Sequence, residues 1–136
     1  MVPVARSAAR RIAMQLIYER ILGGQCEEET MRDLLGFDAE GDDAEYIRAV
    51  LDGTQAHARE IDEAIEPRLV NWSIDRIARV DLAILRLAVY EILYRDDVPD
   101  AVAVNEAVEL AKTFSTDEAG PFVNGLLGSL LREKKA

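Results

Sequence analysis

Along most of the chain apolar side chains return every three or four residues, and no stretch alternates apolar with polar positions as a half-buried strand does. That period predicts helices, and the abundance of Ala, Leu, Glu and Arg agrees with it. The first helix is expected from about Arg6 to Leu22, stopped by Gly23-Gly24. Projected at ~100° per residue, Ala9, Ile12, Ala13, Leu16, Ile17 and Ile21 share one arc, while Arg11, Gln15, Tyr18 and Leu22 stack along the opposite face. A short helix from about Glu28 to Leu35 follows, ended by Gly36. The acidic linker DAEGDD then leads into a long helical region from about Ala44 to Ile65, with Gly53 as its expected break and Pro67 as its stop. Leu69 to Trp72 reads as a turn, and Ser73 can cap a brief helix. The run DLAILRLAVYEILY, Asp81 to Tyr94, is apolar nearly all round and carries only Arg86 and Glu91 as charges past its first turn, which marks a central buried helix. After the turn Asp96 to Pro99, a helix is expected over Val102 to Phe114 and a loop over Ser115 to Gly120. A last helix then opens at Pro121 and runs to about Glu133. The class is all-α, six or seven helices in one domain.

Composition narrows the picture. A chain of 136 residues, 49% of them hydrophobic, can bury a single core, and the ~20 uninterrupted apolar residues of a membrane span are nowhere present. No secretory leader is recognisable, so a cytoplasmic protein is expected. One cysteine, Cys26, cannot form an internal disulfide, and the single histidine, His57, has no Cys or His near it to complete a metal site. A net charge of -10 argues against a nucleic-acid partner, because Lys and Arg on phosphates supply most non-specific affinity. Its distribution points the other way. Residues 1–20 hold Arg6, Arg10, Arg11 and Arg20 against Glu19, and residues 132–136 hold Arg132, Lys134 and Lys135 against Glu133. Fourteen acids crowd Glu27 to Glu66, facing only Arg32, Arg48 and Arg59. Two basic ends on an acidic body suggest a localised basic site.

Catalytic signatures are missing: no Gly-rich phosphate loop, no G-x-S-x-G elbow and no Cys/His nucleophile arrangement. DAEGDD is no calcium loop, since counting from Asp38 the sixth place is Asp43 and the twelfth is Ala49. Neither a cofactor nor a metal is expected. Arg86, in the apolar run, needs a carboxylate, with Glu106 or Glu109 the expected partners. Tyr18, off the core side between Arg11, Gln15 and the basic arm, has the pairing of aromatic and cation that single-stranded RNA readers use; covering a neighbouring helix is the plainer alternative. Phe114 closes an apolar stripe with Ala107, Leu110 and Ala111 and leans toward the core, whereas Phe122, behind Gly120-Pro121, leans toward the surface. Asn124-Gly125 inside a helix implies either close packing at Gly125 or a polar contact from Asn124.

The segments ARRIAMQLIYE, RVDLAILRLAVYEILYRDDVPDAVAVNEAVELAKTF and FVNGLLGSLL are similar to the NusB family of bacterial transcription antitermination factors. The likeness spans essentially the whole chain, is densest from Asp81 to Leu127, and is one of helical pattern alone from Gln25 to Glu66. It implies two packed helical subdomains, about 1–72 and 73–136, and binding of boxA, a short single-stranded RNA element of ribosomal RNA leaders. Binding would be joint with NusE, a small-subunit ribosomal protein, in a complex that helps RNA polymerase read through terminators. By the same resemblance Arg6, Arg10, Arg11, Gln15 and Tyr18 form the RNA site, completed by Lys112, Phe114, Phe122 and Asn124, with Gly120 letting the loop approach the RNA backbone. Asp75, Arg76 and Asp81, at the start of the central helix region, are the expected partner surface, where a basic ribosomal protein could dock against carboxylates; Asp81 can at the same time cap its helix. A NusB-like domain also opens some ribosomal RNA cytosine methyltransferases, but no α/β cofactor domain is found here, so no enzyme is expected. A protein-interaction module without RNA and a homodimer remain as other readings. The chain departs from the family where Ser7, Ala8 and Ala9 interrupt the arginine arm and where Gly120-Pro121 replace basic residues, leaving Lys112 as the local cation. Weak RNA binding by the chain alone is therefore expected, with NusE supplying the missing contacts.

Overall fold

The computed structural model describes residues 4–25, 27–35, 41–70 and 73–135; Cys26, Gly36, the first half of DAEGDD and Trp72 lie outside them. Among the described residues seven α-helices follow one another: α1 (Val4–Ile21), α2 (Glu27–Leu35), α3 (Asp42–Ala56), α4 (Ala58–Ile65), α5 (Arg79–Tyr94), α6 (Asp100–Phe114) and α7 (Ala119–Lys135). Single 3-10 turns at Glu66–Arg68 and Ile74–Arg76 bridge α4 to α5. Among the described residues there is no strand, as the apolar period implied.

Local chemistry sets the ends. Gly23 takes φ of 90°, and Gly24 N–H donates to the Glu19 carbonyl (2.8 Å) while Gly23 N–H donates to that of Arg20 (3.0 Å), the paired closure that only a left-handed glycine makes easily. Gly41, at φ of 102°, opens α3, and Asp42, Asp43 and Glu45 crowd its first turn, where the helix dipole favours negative charge. Helix starts lie earlier than their sequence suggested, by two residues at α1, α3, α5, α6 and α7. α6 begins directly after Pro99, and α7 begins at Ala119, so Pro121 is its third residue and Gly120 is buried inside the helix rather than in a loop. Proline is harmless there, because the first four amides of a helix have no intrahelical acceptor. Ser73 precedes its 3-10 turn without making a side-chain cap.

The core is organised around α5, whose residues from Asp81 to Ile92 are buried except Arg86. It is packed against by α1, α3, α4, α6 and α7. Such a helix must be apolar on every side, which is why its sequence is. Arg86 turns out to pair with Asp62 of α4, Nε to Oδ1 and Nη2 to Oδ2 at 3.0 Å each, and not with Glu106 or Glu109. Its position on α5 faces α4, and Glu106 is already held by α1 side chains.

The expected break at Gly53 is displaced to His57, which joins α3 to α4 with φ -109° and ψ 23°. Gly53 serves packing instead: a Cβ there would overlap the Tyr90 ring, so α3 reaches α5 only because the residue is glycine. Gly53→Ala is expected to cost on the order of 1–3 kcal/mol. The loss should shrink in a Tyr90→Ala background, measured by urea unfolding of the two single variants and the double.

Candidate nucleic-acid interface

Arg10 was expected on the RNA side, yet its side chain is only 3% exposed. Its Nε and Nη2 donate to the two oxygens of Glu91 on α5 at 2.9 and 3.1 Å, and its Nη1 donates to Glu106 Oε1 on α6 at 3.1 Å. The Tyr46 hydroxyl of α3 donates to Glu91 Oε2 (3.0 Å), and Ser7 Oγ donates to Glu106 Oε1. Burial works against the Arg10 charge, but hydrogen bonds and Coulomb attraction from Glu91 outweigh it and hold the pKa above its ordinary value. Burial, then the Glu91 charge, pushes the Tyr46 phenol far up, so it stays a donor. A phosphate could reach Arg10 only by displacing two carboxylates from the interior, so this arginine is a positioning residue.

Arg6 is placed differently again. Its guanidinium carbon stands 4.3 Å from the centre of the Tyr46 ring, where Arg95 (5.4 Å) and Arg10 (5.7 Å) also approach. Five residues of helix separate Arg6 from Arg11, a rotation of ~140°. The two therefore lie on different sides of α1 and cannot face one flat ligand.

On the outer face the expected stripe is present. Arg11, Tyr18 and Leu22 are exposed and Gln15 is half-buried, with Tyr18 at 36% and Leu22 at 60% of full exposure. From Arg11 the surface passes to α6 through a narrow cleft lined by Ser7, Glu106, Glu109 and Thr113. Glu109 then pairs with exposed Lys112 at 3.3 Å. Beyond Lys112 a cleft of about 540 Å³ opens between α6 and α7, lined by Val108, Lys112, Thr116, Asp117, Pro121 and Asn124. Arg11, Lys112 and exposed Asn124 thus lie along one strip crossing three helices, and Glu109 sits between its two cations.

Phe114 and Phe122 are both half-buried and packed against the core, so each shows solvent only part of its ring. A Cβ at Gly120 would touch Lys112 and Val108 at no less than 3.8 Å, and one at Gly125 would meet nothing within 4 Å. Gly125 therefore does not serve close packing. Of the residues expected to form a partner surface, Asp75 and Arg76 are exposed, but Asp81 is buried and accepts a 2.6 Å hydrogen bond from Ser115 Oγ. It is neither a free surface carboxylate nor the cap of α5, whose N-cap is Ala78; it ties the start of α5 to the end of α6. Among the described residues no cluster of His, Cys, Asp or Glu is arranged to hold a metal ion, and no helix is long and apolar enough to cross a membrane.

Sequence reasoning passed over Tyr46 and gave Glu91, Glu106 and Glu109 no part in the site, assigning the last two to Arg86 instead. Glu91 had left a signal, as one of two charges inside an all-apolar run; what the sequence did not show was its partner, 81 residues away. Glu91→Ala is expected to cost about 3–5 kcal/mol by leaving Arg10 buried with Glu106 as its remaining carboxylate partner. Adding Arg10→Met should recover part of it, measured by urea unfolding followed by circular dichroism.

The chain is similar to known proteins along nearly its whole length. Residues 7–132 match the model of the NusB family. A transcription antitermination protein NusB of Acetivibrio thermocellus is 46% identical over 132 residues, covering 96% of this chain and 91% of the relative. Among solved structures, antitermination factors NusB and NusE in complex with dsRNA superpose with a TM-score of 0.82 at 30% identity, covering 97% of this chain and 99% of the other. NusB of T. maritima gives the same score and identity over 98% and 94%.

Proposed function

The chain belongs to the NusB family of transcription antitermination proteins, not to a family of enzymes, and on that premise we propose that it binds boxA single-stranded RNA of ribosomal RNA leaders jointly with NusE. In that assembly it supports read-through by RNA polymerase in the cytoplasm. The observation that carries the reading is the strip from Tyr18, Gln15 and Arg11 across α6 to Lys112 and Asn124. An exposed tyrosine supplies a stacking face, two cations supply phosphate contacts, and a cleft beside an exposed asparagine can take a base edge. The exposed parts of Phe114 and Phe122 add stacking surface at the α6–α7 end. Arg6, on the other side of α1, contacts a strand only where it passes the helix end. The start of α5, with Asp75 and Arg76, is the side on which NusE docks, and Asp81 holds that region in shape.

Scarcity of free cations makes binding by the chain alone weak, and a basic partner on the same strand strengthens it. Linkage then requires that RNA strengthen the protein–protein contact by the same factor, a coupling of roughly 1–3 kcal/mol. Labelled boxA RNA is titrated with this protein, with NusE and with both, beside a scrambled strand and a boxA duplex. The mixture should bind boxA more tightly than either protein alone and prefer it to both controls. A mixture no tighter than its better component would make an interaction module without RNA the correct account, a reading that the net charge of -10 favours.

The strip itself is tested by two changes of opposite sign. Arg11→Ala should weaken binding and lower the slope of log affinity against log salt by about 0.7, one phosphate contact on a single strand. Glu109→Gln releases Lys112 and removes a negative charge from the strip, so affinity should rise by up to about fivefold. No response to either would place the RNA elsewhere.

A further inference from the structure

A groove of about 760 Å³ runs between α4 with its following 3-10 turn and the C-terminal half of α7, away from the strip described above. Ala64, Leu93, Leu126 and Leu130 give it an apolar lining, and Pro67 and Val70 extend that lining at its edge. Val70, at 77% of full exposure, is the most exposed large hydrophobic side chain among the described residues. Gly125, on the α7 wall, is exposed with open space where a Cβ would stand, so the missing side chain keeps the groove open without being needed by the fold.

A second observation concerns Arg68, which lines the same groove. Its side chain is only 10% exposed, its Nη1 donates to the Ala64 carbonyl at 2.7 Å, and its Nη2 is paired with Glu133. Its Nε is buried with no acceptor, the one such side-chain atom among the described residues. A buried donor without an acceptor carries a desolvation cost that an arriving acceptor would relieve. Glu133, 76% exposed, closes that end and can swing outward; Glu63 sits on the opposite wall.

We propose that this groove docks a basic amphipathic helix of a partner protein, with the C-terminal end of that helix toward Arg68. A strand is excluded as occupant because the described residues offer no sheet edge to extend, whereas a trough between two helices suits a third. The α7 wall from Gly125 to Glu133 rises ~12 Å, enough for about two turns of a partner and apolar anchors at i, i+3, i+4 and i+7. Lysines on the flanks of that helix meet Glu63 and Glu133 on a body of net charge -10. A second copy of this chain would bring a further -10 to the same place and is disfavoured. The last carbonyls of a helix lack intrahelical partners and carry the negative end of its dipole, which fits them to the guanidinium once Glu133 turns to a lysine. This proposal is independent of the RNA reading.

The test uses a labelled synthetic helix of about 15 residues with leucine anchors and lysine flanks, and a twin with glutamate flanks, in fluorescence anisotropy against the whole protein. The lysine peptide should bind and its twin should not. Gly125→Leu fills the groove without a clash and replaces glycine by a better helix former, so it should weaken binding by at least about tenfold while thermal stability holds or rises. Glu63→Gln should weaken binding less and flatten its salt dependence. Equal binding of the two peptides, undiminished binding to the Gly125→Leu protein, or no binding at all would overturn the proposal. So would self-association in sedimentation that Gly125→Leu abolishes, since the occupant would then be a second copy.

Discussion

Arg10 carries a full positive charge inside the protein, and the Glu91 carboxylate opposite makes that tolerable. Stripping water from both groups costs several kcal/mol apiece, and the attraction between them offsets this only at good geometry with every remaining lone pair satisfied. Here the geometry is bidentate, Tyr46 occupies one carboxylate oxygen, and Glu106 takes the third guanidinium donor. The arrangement therefore has little slack. α1, α3, α5 and α6 each contribute one member, so the rotation and height of α1 on the core are set to within the tolerance of a hydrogen bond.

Everything on the outer face of α1 inherits that setting. With Arg10 turned inward, the next residue points out toward α6, and Gln15, Tyr18 and Leu22 follow at helical intervals. Arg6, one turn before Arg10 on nearly the same side, is directed over the Tyr46 ring. A charge with no direct role in recognition thus decides which charges are available for it. Three further cations are tied up in the same way: Arg48 is engaged by Glu28, Arg95 by Asp97 and Lys134 by Asp100. The guanidinium beside Asp97 holds that carboxyl below its usual range, through a direct hydrogen bond first.

The fold was largely legible because α5 is buried all round and the other helices show an apolar side, and a period of three to four residues reports that directly. Helix ends were less so. Pro121 reads as a helix start, yet a helix tolerates proline anywhere in its first turn, so the true start lay two residues earlier. Gly53 reads as a break, but a missing side chain signals close approach as readily as flexibility, and only Tyr90 on another helix decides between them. The outward stripe of α1 followed from periodicity, whereas Arg10 did not, because a basic residue at the edge of an apolar arc projects equally well to either side until its carboxylates are located. Asp81 misled for the same reason: its partner, Ser115, is 34 residues away.

The contact between Arg10 and Glu91 also bears on how the chain is born. Synthesis proceeds from the N-terminus, so α1 leaves the ribosome long before its counter-charge exists, and Glu106 follows later still. Until α5 emerges, α1 has an arginine on its inward side without either of its native carboxylates, and Tyr46 lacks the Glu91 oxygen that accepts from its hydroxyl. The first three helices cannot close a dry core in that interval without burying a bare charge. Consolidation of the N-terminal half therefore waits for α5, so the nascent protein matures as one unit and not helix by helix.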